Sequence, residues 1–159
     1  LVAFYTDLPC SEDNWGERQV MEACKTCSAC YKTCPTGAID SDRFLLHAEQ
    51  CLTFHNERRK EFPGWIEASW HHCLVGCLLC QKICPLNKNF LTWIEEKEDF
   101  SCEETTFLLQ GVSRNTLPAE TVKKLEELSI LEYLDILPRN LRVYSRSRIK
   151  KKLSRMNEI

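Results

Sequence analysis

The chain has 159 residues, a net charge of −2 and a hydrophobic fraction of 43%. That length buries one core, or about one and a half, without external staples. Five glycines and six prolines exclude collagen-like and low-complexity chains, and a balanced 28% of charged residues excludes a disordered polyampholyte or a uniformly basic nucleic-acid binder.

Residues 1–20 open with Leu1-Val2-Ala3-Phe4-Tyr5 and turn at Asp7-Leu8-Pro9. The β-branched and aromatic content predicts a short strand. A lone strand has nothing to pair with, so this stretch reads as the remnant and linker of a missing N-terminal domain. The start at Leu1 instead of Met likewise reads as a fragment or processed product.

Residues 21–95 hold nine of the eleven cysteines. Their total is odd, they crowd at gaps of two and three residues, and no secretion signal is visible, all of which argues against a disulfide scaffold. The run Cys24-x-x-Cys27-x-x-Cys30-x-x-x-Cys34-Pro35 carries the strongest signal. A cubane cluster needs four thiolates at tetrahedral corners. Three cysteines at two-residue gaps let one loop wrap three corners, and the fourth then reaches a neighbouring cluster. Zinc sites instead pair C-x-x-C units across a longer loop.

A second copy, Cys77-x-x-Cys80-x-x-x-Cys84-Pro85, has Leu74 where its first cysteine would stand. Crossed ligation therefore gives cluster one Cys24, Cys27, Cys30 and Cys84. Cluster two receives Cys34, Cys77, Cys80 and one remote thiolate. Cys51 and Cys73 both compete for that eighth place, and spacing leans to Cys51. Between the motifs, Phe44, Leu45, Ala48, Leu52 and His55 recur at helical spacing within 43–61, Pro63-Gly64 breaks the pattern, and 67–76 reads as a further short helix.

Residues 96–138 read as a helical extension of three short helices. Ser101 with Glu104 forms a capping box stopped by Gly111. Thr116 and Pro118 open the next helix, whose Val122, Leu125 and Leu128 form a core stripe. Ser129 with Glu132 suggests another capping box, closed by Pro138. Residues 139–159 form a basic tail. Its stretch 139–155 has eight basic and no acidic side chains, whereas 1–138 has 13 basic and 22 acidic, a balance of −9. The longest apolar run, Cys73 to Leu79, has seven residues, against about 20 for a membrane span. No membrane is expected, and a cytoplasmic location is.

The string from Cys24 to Ile39, the lone Cys51, and Gly76-Cys77-x-x-Cys80-Gln81-x-x-Cys84-Pro85-x-Asn87 resemble the double-cluster domain of epoxyqueuosine reductases and the related cobalamin-dependent reductive dehalogenases. Thr6-Asp7-Leu8-Pro9 is similar to the end of the cobalamin-binding domain in the first group. Phe44 to Thr53 and Trp70 to Cys77 resemble a less characterised branch of 4Fe–4S double-cluster proteins. The resemblance implies Cys51 as the eighth ligand. It implies a cobalamin site in the preceding domain and an external donor of ferredoxin or flavodoxin type. Leu86 departs from the tryptophan usual in epoxyqueuosine reductases, and no HEAT-type repeats follow, so the substrate does not carry over.

The expected fold is mainly α with little β, a bis-4Fe–4S ferredoxin-like core followed by short helices. The expected function is electron transfer between two 4Fe–4S clusters, as part of an oxidoreductase whose complete active site is not in this chain. A stand-alone electron carrier, and an RNA- or protein-binding module with structural clusters, are the alternatives. Cys10, Cys73 and Cys102 read as free thiols or small apolar side chains. His71 and His72 read as surface or capping residues. Trp15, Trp65, Trp70 and Trp93 read as cluster shields or core.

Overall fold

The computed structural model describes residues 6–9, 21–42, 45–93, 95 and 97–156, with side chains as far as residue 148. The strand expected at Leu1–Tyr5 lies outside these residues, as do Cys10, Trp15 and Phe44. The described residues are mainly helical, and an isolated bridge between Ile39 and Leu46 is their only extended pairing. No helix among them is long and apolar enough to cross a membrane.

The first cysteine motif folds into two single turns, α1 (Glu22–Thr26) and α2 (Ala29–Thr33). Cys27 between them is extended at ψ 138° and ends the first turn. Turns this short are unstable alone and depend on what they pack against. For α2 that partner is α4 (Leu79–Lys82), the single turn carrying Cys80. Cys84 then caps the 3-10 stretch Pro85–Phe90.

The helix expected over 43–61 is cut down to a 3-10 turn at Ala48–Gln50 and α3 (Leu52–Asn56). Cys51 breaks it with extended backbone at ψ 129°. Of the predicted stripe, Leu52 is buried, whereas Leu45 and Ala48 face solvent. The helix expected over 67–76 shrinks to the 3-10 turn Ala68–Trp70. The carbonyls of Leu74 and Gly76, which even a helix ending at 76 would leave without an internal partner, accept from the side-chain amides of Asn140 and Asn56.

The C-terminal half is a small helical core. In α5 (Cys102–Gln110) the Ser101–Glu104 capping box is present in both directions, and Gly111 closes the helix at φ 72°. The next helix, α6 (Ala119–Glu127), follows Pro118 as expected. The second capping box does not form. Ser129 adopts φ 55° and serves the end of α6, with Ser129 N–H on Glu126 O and Ile130 N–H on Leu125 O. This is a Schellman ending with serine in the place glycine usually holds. Pro138 starts a helix where it was expected to stop one, because α7 (Leu137–Met156) carries it in its first turn, where no N–H is required.

Leu108, Leu117, Leu125 and Leu137 are the buried centre of this half, and Leu74 and Val75 pack against it from the second cysteine arm. Complete burial of a leucine such as Leu125, 0% exposed, contributes about 1.5–3 kcal/mol. The same contact makes the helical half a buttress for the cysteine loops. The basic block is not a free tail along its first turns. Arg139 donates to His55 O and Asn56 O at 2.9 and 3.2 Å, and Arg142 donates to Leu109 O at 2.7 Å.

Candidate metal centre

Cys34, Cys51, Cys77 and Cys80 line one cavity of about 70 Å³, closed by Ala38, Leu52 and Leu79 among others. These thiols come from three separate stretches of chain. Cys34 belongs to the first motif yet stands with two cysteines of the second, because α2 packs on α4. Cys24, Cys27 and Cys30 sit along α1 and α2, and Cys84 follows α4 on the helix pair's other member. All four are partly exposed.

Backbone geometry aims donors at the cavity thiols. Around Cys34, the Thr36 hydroxyl lies at 3.4 Å from Sγ. Burial pushes the Cys34 thiol up, but the Thr36 hydroxyl and the N–H groups of Thr36, Ala38 and Gly37 outweigh it and hold the thiol below its ordinary value. Cys77 is flanked by two left-handed residues, Gly76 at φ 72° and Leu78 at φ 59°. A leucine in that region costs about 1–2 kcal/mol. The turn it makes lets Leu79 N–H donate to the Cys77 sulfur.

Burial nevertheless dominates at Cys77, pushing it up to about 11, with Cys73, Cys51 and Cys80 adding to the rise. Cys80 is also raised, first by burial and then, against the Gln81 donors, by Cys51 and Cys34. Four thiolates crowded in this way repel one another, and positive charge among them offsets both that repulsion and the burial. The donor set is therefore suited to a cationic, thiolate-bound metal centre.

Cys73 is not part of the cavity lining. Its Sγ donates to Gly76 O at 3.1 Å, and burial raises its pKa, Lys82 opposing and Glu57 assisting. It is a retained thiol with a hydrogen bond to make. Cys102 is exposed at the start of α5.

Several residues that frame the site were not legible in advance. Asn56 donates to Gly76 O at 2.6 Å, and Asn140 donates to Asn56 O at 2.8 Å and Leu74 O at 2.6 Å. Both asparagines are buried, at 0% and 1% exposed. They tie α7 to the arms carrying Cys51 and Cys77. The only signal in the sequence was an asparagine inside a helix, a position that residue does not favour without a partner. Asn87 ties the Cys80–Cys84 loop by donating to Gln81 O and Oε1 at 3.1 and 2.9 Å.

Of the histidine pair, expected in a surface or capping role, His71 departs from the surface and His72 meets backbone carbonyls. His71 is 2% exposed and packs edge-on against Phe62, and burial, with Arg139 and His72 nearby, lowers its pKa to about 4. His72 lies between the carbonyls of Trp70 and Cys77. Trp65 and Trp93 are exposed instead of core, whereas Trp70 is half-buried.

The family of the 4Fe-4S double cluster binding domain matches residues 23–87. This segment is thus a 4Fe–4S double-cluster domain of the type shared with epoxyqueuosine reductases. The epoxyqueuosine reductase of Synechococcus sp. (strain CC9605) is 40% identical over 70 residues, 43% of this chain and 22% of that protein. That of Gloeobacter violaceus is 37% identical over 82 residues, 49% of this chain and 25% of that protein. That of Prochlorococcus marinus (strain NATL2A) is 27% identical over 107 residues, 66% and 33% respectively. The matched stretch therefore spans between 22% and 33% of the length of these relatives. No solved structure matches the chain at a significant level.

Proposed function

We propose that the chain carries two 4Fe–4S clusters in crossed ligation and passes single electrons between them. Cluster one takes Cys24, Cys27, Cys30 and Cys84; cluster two takes Cys34, Cys51, Cys77 and Cys80. The observation that carries this reading is the shared cavity of Cys34, Cys51, Cys77 and Cys80, in which one motif lends its last cysteine to the other. Bound there, the clusters supply one-electron redox chemistry within the range of about −700 to +450 mV. The protein's part is to exclude water with Leu52 and Leu79 and to direct N–H groups at sulfur.

The electrons serve a reductive centre in a preceding domain, of the cobalamin-binding type that the resemblance implies. The relatives' name supports a reductase role, and cysteines kept unoxidised as cluster ligands suit a reducing cytoplasm. Anaerobic reconstitution followed by metal analysis and a potentiometric titration tests the reading. About eight irons per chain and two reversible one-electron reductions are expected. Zinc in place of iron, or clusters that do not cycle, would refute it.

A further inference from the structure

The C-terminal helix α7 binds the body along one side. Asn140 and Ser147, two turns apart, are 1% and 2% exposed, whereas Arg142 and Arg146 face solvent. A helix advances about 100° per residue, so positions 142, 146, 149, 153 and 156 follow one another up the outward side at gaps of four and three. The helix runs on to Met156, about 14 Å beyond Ser147.

Along that outward row the residue type changes from arginine to Ile149, Leu153 and Met156. Basic residues hold the rows on both sides of it. Arg148, Lys152 and Arg155 recur at gaps of four and three on one flank, and Lys150 stands one turn on from Arg146 on the other. With Lys151, residues 146 to 155 hold six basic side chains and no acidic one. An apolar row between two basic rows is the pattern of a helix that lies flat in a charged lipid interface.

We propose that the last turns of α7 dock on a membrane surface rich in anionic phospholipid. Charge complementarity names the occupant, because clustered lysine and arginine on such a helix are drawn to the headgroup phosphates of an anionic leaflet. The apolar row enters the boundary between headgroups and acyl chains, and the long basic side chains reach back to the phosphates. This is attachment to a surface and not a span, which no helix among the described residues could make. The body, with its balance of −9 over residues 1–138, is repelled by the same surface, so the attraction is concentrated at this end and orients the molecule. A nucleic acid fits less well. It has no use for the row of Ile149, Leu153 and Met156, and the only ring in 139–156 is taken: Arg148 donates to the Tyr144 hydroxyl at 3.0 Å and lies 5.2 Å over its ring. The proposal stands apart from the electron-transfer reading, since α7 carries no cysteine.

The test uses the whole iron-loaded chain with two probes, separated from free protein by flotation. One is vesicles of phosphatidylcholine alone, and the other is vesicles of equal parts phosphatidylcholine and phosphatidylglycerol. The parent is expected to float with the anionic vesicles and not with the neutral ones, and to come off as salt is raised. Lys150→Glu/Lys152→Glu is expected to lower the partition coefficient about tenfold or more at low ionic strength, the difference shrinking at high salt. Ile149→Ser/Leu153→Ser is expected to lower it about tenfold at every salt concentration. Circular dichroism and iron content check that both variants remain folded and loaded. A parent that floats equally with both kinds of vesicle, or with neither, would overturn the proposal. So would unchanged partitioning in either variant. Retention on transfer RNA that the glutamate variant loses and the serine variant keeps, with no flotation of the parent, would assign the helix to nucleic acid and sink the lipid reading.

Discussion

Replacement of Asn140 by alanine tests whether the C-terminal helix holds the metal centre together. Asn140 donates to Asn56 O and Leu74 O, and its own Oδ1 accepts from Arg139 Nε at 3.0 Å, which fixes the amide's orientation. The substitution removes three hydrogen bonds of about 1 kcal/mol each. Asn56 O keeps the Arg139 donor at 3.2 Å. Leu74 O is left without its amide partner, a further cost of about 1–3 kcal/mol. The better helix propensity of alanine returns about 0.6 kcal/mol. The net loss is about 3–5 kcal/mol, or roughly 6–20 °C in Tm for a chain of this size.

The network reaches α3 just after Cys51 and Gly76 just before Cys77, so the damage has a direction. Thermal melts of the iron-loaded chain give the size of the loss. Iron release to a chelator gives its location, and about half of the iron is expected to leave faster while the remainder keeps the parent rate. Arg142→Ala, which removes one exposed bond to Leu109 O, serves as a control with a loss under about 1 kcal/mol. A Tm within about 1 °C of the parent and unchanged release would show that α7 does not brace the centre.

Cys51→Ser is expected to lose or convert one cluster on reconstitution, while Cys73→Ser and Cys102→Ser keep both; iron loss confined to Cys73→Ser would reverse the assignment. His71 has a folded pKa of about 4 against an ordinary 6.5, so the unfolded chain binds the extra proton between those values. Its contribution is fully present above about pH 6.5 and is lost as pH falls towards about 4, with a ceiling of about 3 kcal/mol. Urea melts at about pH 7 and about pH 5 should therefore differ less in His71→Phe than in the parent, and an equal pH dependence in both would contradict the buried, neutral state.

The cysteine spacing was sufficient by itself for the chemistry, because a cubane needs four thiolates and the first motif offers three on one loop with a fourth just beyond. The same holds for the Ser101–Glu104 box and the Gly111 stop, whose hydrogen bonds are made within a few residues of chain. Spacing leaned to Cys51 over Cys73, and the tertiary structure lines the cavity with Cys51 and not with Cys73. Both are cysteines within reach along the chain, and what separates them is that Cys51 is extended at the start of α3 while Cys73 turns its thiol onto Gly76 O. Local patterns also failed wherever a long-range partner outbid them. Where the helices expected at 43–61 and 67–76 are cut short, Asn140 reaches across 84 residues to Asn56 O, and Leu74 O and Gly76 O accept from Asn140 and Asn56. Sequence periodicity records which face a segment would bury, but not which distant amide will claim its carbonyls. Pro138 and Ser129 make the same point at single residues: proline can open a helix as well as end one, and a serine can hold a left-handed cap when Ile130 beyond it packs, partly buried, against the core.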